Sequence, residues 1–171
     1  MTKLQNMRIV EIPKFRAVSS GPKPLQAIFD GPDSFDSWIK AHRHLLAGHV
    51  FEPQDLLWHE ERKIDKSVLI VPVKADVQAA DVAPYSIIEF PGGIFLVATG
   101  DEKDDADLNE TVSNMLEWIE NSPVFEYGDF PESGMCNMPN PDGLADRVLN
   151  IAQQQIFLPL KIRPGVLKET L

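Results

Sequence analysis

Trp58 and Glu60 stand two positions apart in the run Leu56 to Lys63, whose alternation puts both on one side of an extended strand. An indole face beside a carboxylate suits an organic cation, since the ring offers its quadrupole and the acid its charge. A partly exposed structural tryptophan fits the same pattern. Glu89 shares a strand face with Tyr85 and Ile87, an arrangement that would carry it into a cleft. Glu11 holds the matching place in an earlier segment, and that equivalence speaks for a role at a strand edge. A carboxylate desolvated in a cleft attracts a cation more strongly than one in water, and its pKa rises while the cleft is empty.

Other reactive residue types do not assemble. Of His42, His44, His49 and His59, His42 falls on the apolar face of an expected helix and His44 does not, so no pair of ligands is presented at i, i+4. The single cysteine, Cys136, has no disulfide partner and no neighbouring base to lower its pKa. Pro91-Gly92-Gly93 reads as a turn, and neither a phosphate-binding glycine loop nor a nucleophile elbow occurs. No metal and no cofactor are expected.

The elements that must position these residues repeat. Val10-Glu11-Ile12-Pro13 and Ile88-Glu89-Phe90-Pro91 are each followed by an apolar stretch closing on glycine, Phe15 to Gly21 and Ile94 to Gly100. A helix then follows in each half. Phe35, Trp38, Ile39, His42 and Leu46 form one stripe, with Asp33 or Ser34 as its cap and Gly48 as its end. Leu108, Val112, Met115 and Ile119 form the other, with Asp107 and Glu110 as a capping box. Each half closes on a strand containing a proline, Val68 to Lys74 and Ile156 to Lys161, which places both strands at an edge or leaving the sheet. Trp38 and Trp118 read as core.

The chain has 171 residues, 43% of them hydrophobic, enough for a core of its own. Its 16 basic residues against 26 acidic ones give a formal charge of −10. That balance argues against nucleic acid or an anionic membrane as a partner. Half of the excess lies in Asp101 to Asp107 with Glu110, six acids against Lys103, where negative charge suits a helix N-terminus. The longest apolar runs are too short to span a bilayer and no signal segment opens the chain, so a cytoplasmic protein is expected.

Tyr85 to Val97, the helix bearing Leu116-Glu117-Trp118-Ile119, and Ile156-Phe157-Leu158-Pro159-Leu160-Lys161 together resemble the gyrase-inhibitor-like small-molecule-binding domain, the effector-binding module of AraC- and MerR-type multidrug regulators. The resemblance covers about residues 7–163, and within the family it extends to stand-alone cationic-drug-binding proteins carried on integron cassettes. It implies an α+β fold of two pseudo-symmetric βαββ repeats, about 7–74 and 85–163, with connector 75–84. Helices would pack on one face of an antiparallel sheet, with a ligand cleft between repeats. It also implies a member without DNA-binding helices.

The family's cleft is aromatic-lined and often holds a buried carboxylate in the penultimate strand. Here that stretch is Gly134-Met135-Cys136-Asn137-Met138-Pro139 and contains no acid. Glu132, Glu52, Glu60, Glu61, Glu89 and Glu126 are the remaining candidates. Met135 and Met138 bring polarizable side chains to the pocket strand, and Phe95 holds the family's aromatic position. The expected ligand set is thus Trp58, Glu60, Glu89, Phe95, Met135 and Met138, around a hydrophobic, cationic aromatic compound. Two alternatives stand beside this reading: a hydrolase of electrophilic small molecules using a Glu and an aromatic residue, and an acidic module that binds protein. A homodimer is left open.

Overall fold

Val68-Leu69-Ile70-Val71 and Ile156-Phe157-Leu158 lack the in-out alternation of a one-sided sheet, as strands buried on both faces do. In the computed structural model, which describes residues 7–48, 55–139 and 143–166, both runs are strands and nearly every residue in them is buried. The strands are β1 (Arg8–Ile12), β2 (Phe15–Ser19), β3 (Leu56–His59), β4 (Ser67–Pro72), β5 (Ser86–Phe90), β6 (Gly93–Asp101), β7 (Phe125–Tyr127), β8 (Met135–Asn137) and β9 (Gln153–Ile162). The helices are α1 (Leu25–Phe29), α2 (Phe35–Ala41), α3 (Asp105–Asn121) and α4 (Leu144–Leu149). No described helix is long and apolar enough to cross a membrane.

Two compact units form, Pro13–Gly92 and Met1–Ile12 with Gly93–Leu171. The first carries the antiparallel order β3-β4-β2-β5. The second carries β8-β9-β6-β1, with β7 also paired to β9. The two orders correspond strand for strand, so the fold is α+β with antiparallel βαββ repeats. Their outer strands are exchanged between the sequence halves. β1 opens the first half yet pairs with β6, while β5 opens the second and pairs with β2. The chain passes from one unit to the other at Pro13 and at Pro91-Gly92-Gly93.

Neither proline-bearing strand is an edge of its layer, but, as expected of a proline where a strand leaves the ladder, each proline lies where no described strand pairs on one side. β3 pairs with β4 only as far as Ile70, and Pro72 lies past that end. The carbonyl of Pro72 accepts instead from Ala47 N, at 2.9 Å. On β9, β8 pairs as far as Phe157 and β7 resumes at Leu160; the Pro159 carbonyl between them accepts from Gly128 N at 2.7 Å. Because N–H and C=O of one strand residue point to the same side, each proline's missing donor falls where no strand among the described residues requires it.

In Pro13–Gly92 the helices cover a core of Val18, Ile28, Phe35, Leu69, Val73, Val77 and Val82. Ser34 caps α2, its Oγ accepting from Ser37 N at 3.1 Å, and the helix stops at Ala41 before a 3-10 turn over Arg43–Leu45, short of the expected Gly48. The expected connector 75–84 is more than a tether, since Val77 and Val82 are core. In the second unit α3 packs Met115 and Ile119, with Leu108 and Val112, against Leu96, Ala98, Ile156, Leu158 and Leu160. Asp104 rather than Asp107 is its cap, accepting from Ala106 N at 3.0 Å and Asp107 N at 3.2 Å. Asp107, one turn on, is nearly buried and accepts from Asp101 N.

Gly134 leads into β8 at φ +72°, and a Cβ there would come within 2.9 Å of the Phe157 carbonyl oxygen. Gly134→Ala is expected to cost about 1–3 kcal/mol, lowering the melting midpoint by roughly 2–4 °C per kcal/mol. Gly48→Ala, with open space around it, should leave the midpoint unchanged in the same thermal melt.

Candidate functional site

Each strand layer has a helix face and an opposite face, and the candidate residues divide between them. In Pro13–Gly92, Leu57, Leu69, Val18 and Ile87 belong to the helix-side core. By alternation Leu56, Trp58, Val68, Ile70, Ala17 and Phe90 lie on the other face, and all are buried, Trp58 at 6% exposure. Trp58 pairs across the strands with Val68.

Glu60 does not continue that face. β3 ends at His59, and Glu60–Arg62 form a 3-10 turn in which Glu61 and Arg62 take left-handed backbone angles, φ 52° and 56°. The strand expected to run to Lys63 is therefore broken, and Glu60 is exposed. Glu61 bridges Lys63 and Lys66 at 2.7 and 2.6 Å, and these ammonium groups lower its pKa to about 2. Glu89, next to Phe90, lies on the helix side with Tyr85 and Ile87, so the layer separates it from Trp58. It is 59% exposed and ion-paired with Lys14 at 2.9 Å.

That ion pair borders an open hollow of about 390 Å³ over Phe15, Val73 and Ala75. Arg16 also lines it, but its guanidinium donates to the Ala75 and Val77 carbonyls at 2.9 and 2.8 Å. The charges around the hollow are thus engaged with each other or with backbone.

In the second unit Phe95, Val97, Met135 and Phe157 share the face away from α3, all under 7% exposed. Met135 pairs with Phe157 across β8 and β9, and the Phe95 and Phe157 rings meet edge to face with centroids 6.5 Å apart. Met138 is half-buried one residue past β8. The structure thus brings Phe95 and Met135 together around a residue not singled out from the sequence, Phe157. The next row on this face is polar: Thr99, Gln155 and Asn137 lie in register across β6, β9 and β8, with Gln155 3% and Asn137 6% exposed. Only strand register reveals that row.

The other candidate acids stay near water. Glu126 is half-buried and lies 3.5 Å from Lys161 and 3.6 Å from Arg163, and Glu132 is exposed. Glu52 and His49 lie outside the described residues. Among the described residues no cluster of three or more His, Cys, Asp or Glu is placed to hold a metal ion.

Two of the described histidines are bound into the fold. His42 Nδ1 donates to the Trp38 carbonyl at 2.8 Å, and its ring stacks on that of Trp38. His59 Nδ1 lies 2.8 Å from Ser67 Oγ, whose own proton goes to the Ile64 carbonyl at 2.7 Å, so the ring donates to the hydroxyl. Ser67 is fully buried and is no nucleophile. Burial of the imidazole lowers the pKa of His59 from 6.5. The unfolded chain therefore takes up this proton first, and stability falls as pH drops below the unfolded value until the folded pKa is passed. Melting midpoints between pH 7.5 and 5.5 should decline, and His59→Asn, whose amide can still donate to Ser67, should decline less.

No family model matches the chain, and no curated protein matches it in sequence. Solved structures match it in fold. The EcmrR C-terminal domain aligns with TM-score 0.62 and 14% identity over 92% of this chain and 98% of its own. A hydrolase from Listeria innocua aligns with TM-score 0.57 and 12% identity over 91% and 92%. SAV2435, solved bound to tetraphenylphosphonium, aligns with TM-score 0.56 and 14% identity over 91% and 94%, so this chain shares the fold of these three proteins.

Proposed function

We propose that the chain is a small-molecule-binding domain for a hydrophobic, cationic aromatic compound, held by apolar burial and aromatic contact. The observation that carries this reading is the make-up of the strand faces turned from the helices. Trp58 stands on one, and Phe95, Phe157 and Met135 on the other. Rings fixed on strands offer π faces to a cation at little entropic cost, and a methionine adapts to the ligand's outline. The shared fold with a protein that binds a lipophilic cation supports the same reading. On the first face Trp58 is the proposed contact, and on the second Phe95, Met135 and Met138, each face taken by itself, while Glu60 and Glu89, both exposed, contribute long-range charge.

The hydrolytic alternative required a glutamate beside Trp58, and the turn at Glu60 removes the feature that favoured it. The acidic segment before α3 is engaged in capping and in holding backbone: Asp101 Oδ1 accepts from Lys103 N and Ala152 N.

Acridine orange, a planar lipophilic cation, should bind saturably and quench tryptophan emission. A neutral planar analogue should bind more weakly, and Trp58→Leu should weaken dye binding about tenfold, within the range of a desolvated cation–π contact. Absence of saturable binding by calorimetry would overturn the proposal, and equal affinity for the neutral analogue would remove its cationic part.

A further inference from the structure

We propose that the outer edge of β1, with the flank of α3 beside it, docks an extended basic segment of another protein, which pairs with β1 as an added strand. The surface lies within the unit Met1–Ile12 with Gly93–Leu171, on the helix side of its layer, and so stands apart from the face proposed for small molecules.

β1 ends the order β8-β9-β6-β1, and no strand among the described residues pairs with its outer edge. An unpaired edge is a template for a further strand unless prolines, charges or a covering element protect it. β5, at the corresponding end of the other unit, is protected, since Pro84 and Pro91 flank it and its Glu89 is ion-paired with Lys14. β1 is not. It carries Ile9 at 48% exposure, and Met7 before it is 44% exposed.

Ile9 and Glu11 are opposite Leu96 and Ile94, which pack toward α3, so both point to the helix side. Helical phase turns Leu116 toward the same place. Trp118 stacks on Phe125 of β7, and β7 and β6 pair with opposite sides of β9, because both are in register with Leu160. Leu116 lies about 160° around the helix from Trp118, on the flank nearer β1. Its height follows from the helix path. Leu108 sits against Gly100, and α3 runs back along β6 from there. Between Leu108 and Leu116 the helix advances about 12 Å, a distance a strand covers in between three and four residues. Leu116 is thus level with Leu96, the partner of Ile9, and Glu120 with Ile94, the partner of Glu11. Ile9 and Leu116, the latter 44% exposed, make an apolar step, and Glu11 and Glu120 make an acidic one beside it. Neither carboxylate has an ion-pair partner among the described residues. Arg8, the basic residue of β1, is in register with Val97 and points to the other face.

Charge complementarity chooses the occupant. A second copy of the chain would bring the same acids, and no base on the helix side of β1, to the seam. A segment with Lys or Arg opposite Glu11 and an apolar residue two positions on, opposite Ile9, matches both steps. Main-chain pairing with β1 then supplies affinity, and the two steps fix register.

A synthetic peptide in which Thr alternates with Lys, Val, Val and Lys in turn tests this by calorimetric titration of the full chain. It should bind saturably, and the same peptide with both Lys replaced by Glu should bind about tenfold more weakly or not at all. Glu11→Lys should weaken the basic peptide by a similar factor, and Ile9→Asp and Leu116→Asp should each do so through lost apolar contact. All three positions are exposed, so the variants should melt as the native chain does; one that does not is set aside, and the others decide. No saturable binding of the basic peptide, equal affinity for the acidic one, or binding that survives both Ile9→Asp and Leu116→Asp overturns the proposal. Self-association in light scattering that Ile9→Asp abolishes, with no peptide bound, overturns it in favour of a second copy.

Discussion

Burial of the strand layers on both faces is the constraint from which the other features follow. One face of each layer is covered by helices, through Met115 and Ile119 in one unit and Ile28 and Phe35 in the other. The opposite face, with Trp58 in one layer and Phe95 and Phe157 in the other, is equally withdrawn from water. Strands of this kind cannot advertise orientation by alternating polar and apolar residues, so register must be held by other means. Here the means is backbone. At Pro72 and Pro159 the absent N–H is tolerated on one side only, and shifting either strand by one residue would turn that side toward a partner needing the donor.

The same constraint gives polar residues on the second face their meaning. A solvated face accepts Asn or Gln at little cost, whereas on a face at 3–6% exposure their polar atoms need hydrogen-bond partners. The repeat sharpens the point, because Trp58 and Val68 fill the equivalent positions without polar groups. Charged side chains, by contrast, stay where water or a partner stabilises them. Glu89 is beside Lys14, Glu61 beside Lys63 and Lys66, and Glu126 near Lys161 and Arg163. Exposed pairs of this sort add little stability individually.

Local chemistry was the part legible in the sequence. The α3 stripe, the Ser34 cap and the core placement of Trp38 and Trp118 depend on spacings within a turn or two of helix, and they appear as read. The cap of α3 moved from Asp107 to Asp104 because six acids crowd that segment and pattern does not choose among them. Glu60 was misplaced for a conformational reason: alternation was carried through Glu61 and Arg62, two residues whose left-handed angles end the strand, and non-glycine residues seldom adopt these. Exchange of β1 and β5 between the sequence halves was illegible, since pairing across some 80 residues leaves no local mark.

Charge and burial pull against each other in a layer of this kind. A carboxylate buried in an apolar face must either ionise at a large desolvation cost or hold its proton until a cation arrives, which ties its charge to pH. Glu60 and Glu89 are exposed instead and avoid that cost. The −10 charge of the chain therefore acts over distance, raising the local concentration of cations near the surface and weakening with salt.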